Sequence, residues 1–507
     1  MLLALLLTLA NIAMPQAARA DVLIVHSNDV LGEIEPCGCR SNPLGGMARK
    51  ANLLKKLEQA NEVVQLDAGD LLFPSDSLPP MLEKQSELQA KFLLSAMDQL
   101  HHDAIVPGEK DFALGWKTFQ KLRAGSKAKF LAANLYLSKS NSPALAPYAI
   151  FERKNRDGKK IRVAVIGLVG EDLKWPKELK ASPAIAAAKR EVHALEGKAD
   201  LIVALTHEGL EADRALAQAV PGIDIIIGGH TQSFLQNPLV IGKARIYQSS
   251  FRNQYIGVLP AKKPFNGEGY ELVGLDPAYD SPAEKPSQTD RLVQEFKAGI
   301  AKFNLTEVAQ QTETKAPQAP AGSAPKFQTW VRCAECHTEQ FDFWRRTPHA
   351  RALSPLVKAG QSANKECLSC HTVGLGDPEG LLDISKLATL RGDKAISTPE
   401  LNTFLESMTQ AKSMDAPVTL TPLDPPMPLN QAISRIDRSW TPVQCENCHK
   451  GSQDHPFSNP MSEKVVVTTC VQCHTAERAP AWYTKDGKLD EKIAAEKKAK
   501  IACPASN

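Results

Sequence analysis

The feature that most constrains this chain is a five-residue motif, Cys-x-x-Cys-His, which occurs four times after residue 325. Two thiols three positions apart can form thioether bonds to both haem vinyl groups, and the adjacent imidazole can serve as the proximal iron ligand. The motifs therefore predict four covalently attached haems c. They are Cys333, Cys336 and His337; Cys367, Cys370 and His371; Cys445, Cys448 and His449; and Cys470, Cys473 and His474.

Zinc binding and disulfide formation are the alternative interpretations, because Cys-x-x-Cys pairs also bind zinc. A zinc site does not require histidine directly after every pair, yet all four pairs here are followed by one. We therefore favour haem. Beyond the motifs, the region after residue 325 holds two further histidines, His349 and His455, so at most two haems can have two local imidazole ligands. The other irons need Met, Lys, a histidine from earlier in the chain, water or an open site.

The sequence around the motifs resembles that of the cytochrome c-554 family of tetrahaem electron-transfer proteins. The resemblance rests on the first motif with Trp344 and the Thr-Pro-His-Ala sequence around His349, and on the second and third motifs, the third continuing to His455. It implies electron transfer, with His349 and His455 as ligands of haems. It also implies redox partner proteins or quinol-linked cytochromes. This chain departs from the family pattern in a long segment, 374–443, which contains a predicted helix at 399–412.

The first twenty residues predict export. An apolar run from Leu2 to Ala13 precedes Ala18-Arg19-Ala20, the small-x-small pattern that signal peptidase cleaves. The alternative is a membrane anchor, but the run is shorter than the roughly 20 apolar residues of a spanning helix. We expect a signal peptide at 1–20, a periplasmic protein of the Gram-negative type and no stable membrane span after cleavage. Such a location agrees with c-type haem attachment.

Length and charge set broader limits. A chain of 507 residues is expected to form two or three domains. Its 60 basic and 57 acidic side chains give a net charge of +3, which is too balanced for a nucleic-acid-binding surface, so we expect no nucleic-acid partner.

Short β-branched runs alternate with amphipathic stretches over residues 21–278, a pattern that predicts an α/β (α+β sandwich) domain. Strands are predicted at 22–26, 63–67, 104–107, 161–168, 201–206, 223–228 and 244–248, and helices at 47–57 and 82–100. Residues 279–325 are predicted to form a helix, at 291–309, and a Pro- and Ala-rich linker. We expect residues 326–507 to form a mostly α, haem-packed domain.

Acidic and imidazole groups recur in the N-terminal region where apolar runs end. The fragments contain Asp29, Asp70, Glu109, His207, and the pair His230 and Gln232. Loops at strand ends bring polar groups together, and Asp with His is a ligand set for paired divalent cations. The order and the sequences of these fragments resemble the motifs of the exported 5'-nucleotidase branch of the calcineurin-like phosphoesterases.

This second resemblance implies a two-sheet sandwich that binds one or two divalent ions (Zn, Mn or Fe). Asp70 matches the bridging carboxylate, Asp29 and Gln232 match ligands of one metal, and His207 and His230 match ligands of the other. Metal-activated water would attack a terminal phosphate.

Three positions depart from the family pattern. Leu31 replaces a histidine ligand, Glu109 replaces an Asn ligand, and Lys110 replaces the catalytic His, whose partner Asp is Ala113 here. Glu109 can still bind metal, and Lys110 is the candidate catalytic residue, without the same acid-base role. The departures predict weak or absent nucleotidase turnover.

Three cysteines lie outside the haem motifs. Cys37 and Cys39 follow Asp29 closely, where a thiolate could replace the lost imidazole, or the two could form a disulfide or remain inert. Cys503 is interpreted as a free or paired surface thiol.

Three functional classes therefore compete. They are an electron-transfer protein with a vestigial or regulatory phosphoesterase-like domain, a true hydrolase, and a metal-dependent redox enzyme wired through its haems. Small phosphorylated or sulfur compounds are the candidate substrates.

Overall fold

The computed structural model describes residues 22–36, 43–155, 157–263, 269–313 (308–313 as backbone only), 326–449, 455, 465–476, 478–484 and 487–504. The predicted signal peptide, Cys37, Cys39 and most of the predicted linker lie outside these ranges. The described residues form two compact units. The first contains 22–36, 43–78 and 89–290, and the second contains 79–88 and the described residues from 291 onward. No helix in the described ranges has the length and apolar character needed to cross a membrane.

The first unit is built of alternating strands and helices. Its strands are β1 (Val22–Ser27), β2 (Glu62–Asp67), β3 (Ala104–Ile105), β4 (Lys129–Phe130), β5 (Leu135–Leu137), β6 (Tyr148–Lys154), β7 (Lys160–Val169), β8 (Leu179–Ala181), β9 (Leu201–His207), β10 (Ile225–Gly228), β11 (Leu239–Ile241), β12 (Ala244–Tyr247), β13 (Tyr255–Pro260) and β14 (Glu271–Gly274). The helices are α1 (Met47–Glu58), α2 (Pro80–Gln99, whose residues up to Leu88 group with the second unit), α3 (Gly115–Ala124), α4 (Ala184–Ala194) and α5 (Leu210–Ala219).

Two six-stranded sheets organise this unit, with the orders β14-β13-β1-β2-β3-β4 and β11-β12-β10-β9-β7-β6. β1 to β4 are parallel, and β7, β9, β10 and β12 are parallel in the second sheet. Strands of a parallel sheet are covered on both faces, which explains why β1, β9 and β10 are almost wholly buried. The predicted α/β class is confirmed, and every predicted strand lies within about two residues of an observed one.

Local sequence accounts for several of these boundaries. α1 begins directly after Gly46, whose φ of 98° suits glycine, and Met47, Leu53 and Leu54 bury its inner face. β6 and β7 pair antiparallel, and in the turn between them the side chain of Asn155 accepts a hydrogen bond from Lys159 N.

The second unit is mainly helical. Its helices are α6 (Gln288–Glu313, beginning within the last residues of the first unit), α7 (Thr329–Cys336), α8 (Thr338–Trp344), α9 (Leu353–Lys358), α10 (Lys365–His371), α11 (Thr398–Gln410), α12 (Leu429–Arg435), α13 (Cys445–Cys448), α14 (Val467–Cys470) and α15 (Glu491–Ala499). Short strands are β15 (Ala388–Leu390), β16 (Lys394–Ala395), β17 (Pro417–Val418), β18 (Met427–Pro428) and β19 (Ile436–Ser439). The predicted domain boundary near residue 325 stays a prediction.

The long segment 374–443 forms part of the core of the second unit. It supplies β15 to β19, α11 and α12, and Phe404 and Leu401 of α11 are fully buried in the same cluster as Trp330. The fully buried Arg345 donates hydrogen bonds to the carbonyls of Met408 and Ala411 at the end of α11. These bonds satisfy carbonyls that a helix end leaves unpaired, so the segment is anchored beside the first haem motif.

Candidate metal centre and haem sites

Loops at the carboxyl ends of five strands place the candidate metal ligands of the first unit. Asp29 follows β1, Asp70 follows β2 and Glu109 follows β3, while His207 ends β9 and His230 follows β10. Ligand sites of α/β proteins form at this end of parallel strands. Three of these side chains lie at strand ends of the first sheet and two at strand ends of the second, so a centre formed by all five would join the two sheets.

Four of these residues form a tight donor cluster. Ligand atoms of Asp70, Glu109, His207 and His230 all lie within 4.8 Å of one another. His207 Nε2 is 3.4 Å from Asp70 Oδ2 and 3.2 Å from Glu109 Oε2, and His230 Nδ1 is 3.3 Å from Glu109 Oε1. Two imidazoles and two carboxylates are a suitable donor set for a divalent transition metal.

The orientation of His207 is fixed by the backbone. The ring lies with Nδ1 2.6 Å from the carbonyl oxygen of Ala68, so Nδ1–H donates and Nε2 faces the cluster. A hydrogen bond from the second ring nitrogen is typical of metal-binding histidines. Glycines make room for this arrangement: a Cβ at Gly69 would lie 2.7 Å from His207 Nδ1, and one at Gly108 would lie 2.6 Å from His207 Nε2. Only glycine fits at these two positions.

The electrostatics of the cluster are those of closely spaced acids and bases. Burial opposes protonation of His207, but Asp70, Glu109 and Asp29 outweigh it and hold the pKa of His207 well above its usual value. Burial likewise opposes ionisation of Glu109, yet the hydrogen bond from His207 and the nearby imidazole of His230 hold its pKa well below the usual range. Asp70, whose pKa the neighbouring His207 also lowers, and Glu109 are therefore ionised.

Four residues of the site adopt a backbone conformation that is uncommon outside glycine. Asp29, Asp70, His230 and Gln232 have φ values of 49°, 51°, 73° and 52°. Non-glycine residues rarely adopt this left-handed region, and such strain concentrates at functional sites.

Asp29 borders the four-residue cluster without belonging to it. Its Oδ2 accepts hydrogen bonds from His230 N (3.1 Å) and Asn28 Nδ2 (2.8 Å). Its Oδ1 is buried and has no hydrogen-bond partner among the described residues, as expected of an atom that binds a cation. Gln232 is half-buried, and Leu31, in place of the family histidine, is 3% exposed. The structure therefore brings Asp29 beside the predicted ligands, but puts an apolar side chain where one ligand is lost.

Lys110 lies inside the centre. Its Nζ forms an ion pair with Asp70 Oδ2 and lies 3.4 Å from Glu109 Oε1, and its backbone N–H donates to Asp70 Oδ1 (2.9 Å). Burial works against the charge, but Asp70 and Glu109 raise the pKa of Lys110 above its usual value. The ammonium thus remains charged at neutral pH and cannot act as a general base.

Asp111 is a positioning residue whose role the motif comparison missed. Its two carboxylate oxygens accept hydrogen bonds from Leu72 N (2.7 Å) and Gly108 N (2.9 Å), which ties the loop after β2 to the loop after β3. Burial, reinforced by Asp70, raises the pKa of Asp111 to about 7. The one feature of the sequence that could have indicated this role is the position of Asp111 directly after Lys110.

The haem motifs of the second unit lie on or beside short helices. Cys333 and Cys336 end α7, Cys367 and Cys370 lie in α10, Cys445 and Cys448 span α13, and Cys470 ends α14. Helical i and i+3 positions share a face, so the helical pairs present both thiols on one side.

Each of the two additional histidines faces the proximal histidine of a motif. The ring centres of His455 and His337 are 5.8 Å apart, and those of His349 and His474 are 6.1 Å apart. Two imidazoles on opposite sides of one metal, each with a metal–nitrogen bond of roughly 2 Å, have ring centres roughly 6 Å apart. The two spacings therefore fit bis-imidazole ligation of the first-motif and fourth-motif haems.

A cavity of about 1060 Å³ lies between the second and fourth motifs. Its lining includes Cys370, His371, Cys473, His474 and His349. His371 Nδ1 donates to the carbonyl of Ala352 at 2.6 Å, so Nε2 is the ring nitrogen that would bind iron, as expected of a proximal ligand. Glu406 and Gln410 of α11 complete part of the wall, a contribution that the sequence did not reveal.

Thiols of different motifs are neighbours. Cys370 lies within hydrogen-bonding reach of Cys473, and Cys333 within reach of Cys445. The first and third attachment sites are thus close together, as are the second and fourth. Cys503 is exposed and is in no disulfide within the described residues.

Comparison with known proteins supports both halves of this description. Residues 332–392 match the family model for cytochrome c554 and c-prime, which implies haem. Human 5'-nucleotidase is 29% identical over 252 residues, which cover 46% of this chain and 41% of the human protein. The trifunctional nucleotide phosphoesterase protein YfkN of Bacillus subtilis is 26% identical over 46% of this chain and 18% of its own length.

Among solved structures, the 5'-nucleotidase precursor from Thermus thermophilus matches 56% of this chain and 59% of its own, with 22% identity and a TM-score of 0.46. This chain spans about two fifths of the length of the human and bovine 5'-nucleotidases that it matches. Both resemblances inferred from the sequence are confirmed: a 5'-nucleotidase-like phosphoesterase region is followed by a cytochrome c554-type region, consistent with a fusion.

Proposed function

We propose that this protein is an exported tetrahaem c-type cytochrome that transfers electrons, fused to a metal-binding, phosphoesterase-like domain of low hydrolytic activity. The observation that carries the proposal is the placement of His349 and His455 opposite His474 and His337, at spacings that suit an intervening iron. Two low-spin haems with paired imidazoles exchange electrons without binding a substrate. Redox partner proteins, or quinol-linked cytochromes, would deliver and accept the electrons.

The arrangement of the motifs suits electron relay. Neighbouring thiols join the first and third attachment sites and the second and fourth, so the haems would lie in two close pairs. Because the two additional histidines face the first and fourth motifs, the sixth positions of the second and third haems would be open or filled by another group. Of these, His371 borders the large cavity, where a small ligand could reach iron.

The metal centre supports a second candidate function, hydrolysis of phosphoric esters. Asp70, Glu109, His207 and His230 would hold a divalent ion, which supplies a nucleophilic water at neutral pH. Lys110 cannot accept a proton, because Asp70 and Glu109 hold its ammonium. Its charge can attract a phosphate, but it does not replace a His-Asp pair, whose acid-base assistance contributes about 10² to 10⁴ in rate.

One set of assays tests the proposal. The full-length haem protein is tested for reversible reduction and re-oxidation at the Soret and α bands, and for turnover on a panel of nucleotides, phosphoesters and sulfur esters with Zn²⁺, Mn²⁺ or Fe²⁺. We expect reversible redox cycling and little hydrolysis. A turnover on the order of 10 per second on AMP or UDP-glucose, an ordinary enzymatic rate, would instead establish the hydrolase.

Asp70→Ala provides the matched control for that assay. Asp70 lies in the metal cluster, so its loss should abolish any hydrolysis and metal binding. The haem spectrum should be unchanged, because the haem motifs belong to the other compact unit.

A further inference from the structure

We propose that Lys110 is a built-in cation that replaces one of two metal ions, so that the first unit binds a single divalent ion. The inference rests on the proposed metal binding but not on any hydrolytic activity. It concerns how many ions the centre holds and why.

Three donor separations suit a single four-coordinate ion. A tetrahedral ion with metal–ligand bonds of 2.0–2.2 Å has neighbouring ligand atoms roughly 3.3–3.6 Å apart. His207 Nε2 lies 3.4 Å from Asp70 Oδ2 and 3.2 Å from Glu109 Oε2, and His230 Nδ1 lies 3.3 Å from Glu109 Oε1. Glu109, a carboxylate in place of a neutral amide, gives this ion a second negative ligand.

The ammonium takes the place that a second ion would need. Asp70 Oδ2 faces His207 on one side and pairs with Lys110 Nζ on the other, and Oδ1 accepts the backbone N–H of Lys110, so the ammonium occupies the side of Asp70 on which a second ion would bind. The second ion would also lack an imidazole, because Leu31 stands at that position. Asp29 Oδ1 would be left as one of its few strong ligands.

Metal stoichiometry tests the inference directly. The full-length haem protein is loaded with excess Zn²⁺ or Mn²⁺, desalted and analysed for metal per chain, and its affinity is measured by competition with a chelator. The wild type should bind one ion. Lys110→Met, which removes the ammonium but keeps an unbranched side chain, should bind a second ion or hold the first at least tenfold more tightly.

Lys174→Met is the matched control, since this lysine is 75% exposed and pairs only with Asp76 among the contacts described for it. This variant should change neither the number of ions bound per chain nor the affinity for the metal. Two ions per wild-type chain, or a Lys110→Met variant with unchanged or weaker binding, would overturn the inference. No ion bound to the wild type would overturn the proposed metal site as well, which distinguishes the two failures.

A measurement on the wild type alone covers the case in which Lys110→Met does not fold. After reduction of the haems with dithionite, the electron paramagnetic resonance of bound Mn²⁺ should show the six lines of an isolated ion. The spectrum of an exchange-coupled pair would contradict the inference.

Discussion

Replacing His349 by alanine is expected to convert one haem from low spin to high spin. The ring centre of His349 is 6.1 Å from that of His474, close to the roughly 6 Å of two imidazoles on one iron. Its removal leaves that iron with one protein ligand, and no other histidine faces His474 within the described residues. Since one haem of four is affected, the high-spin fraction should rise by about a quarter of the total haem.

The assay is electron paramagnetic resonance of the oxidised full-length protein, with the absorption spectrum recorded in parallel. Free imidazole should restore the low-spin signal of His349→Ala, because it can bind the vacated position. His455→Ala should behave in the same way at the His337 haem, and the two effects should add. His193→Ala, at a side chain that is 83% exposed, is the control. An unchanged spin state in His349→Ala would refute the reasoning.

Three further predictions follow from the sequence and the packing. Mass spectrometry of the mature protein from a host with c-type maturation should show four haem adducts, and fewer would contradict the motif assignment. Gly108→Ala should weaken metal binding at least tenfold because its Cβ would collide with Asp70 and His207, whereas Gly299→Ala, with open space around it, should not. Burial lowers the pKa of Lys50 from 10.5 to about 8, which corresponds to roughly 3 kcal/mol. A lowered pKa adds stability above pH 10.5 that is lost as the pH falls through 8, so the wild type should gain stability over Lys50→Met between pH 8 and 10.5. Urea unfolding followed by tryptophan fluorescence would test this, and equal pH slopes in the two proteins would disprove it.

The sequence indicated the chemistry of both halves because the motifs are local. The spacing of Cys333, Cys336 and His337 is set within five residues, and helical geometry then places both thiols on one face. The ends of the strands could also be predicted from the sequence, because apolar runs such as 22–26 and 201–206 end where buried parallel strands end. The predicted α/β class, the positions of the strands and both family resemblances followed from these local patterns.

Tertiary structure decided which groups meet. The pairing of His349 with His474 and of His455 with His337 joins residues that are far apart in the chain, and no local pattern encodes it. The role of Lys110 was likewise hidden: the sequence shows a lysine where the family has a histidine, but only the fold turns its ammonium onto Asp70. The physical reason is that ligation and ion pairing depend on distances between loops. Those distances are fixed by the packing of whole sheets and helices, whereas the sequence specifies each loop separately.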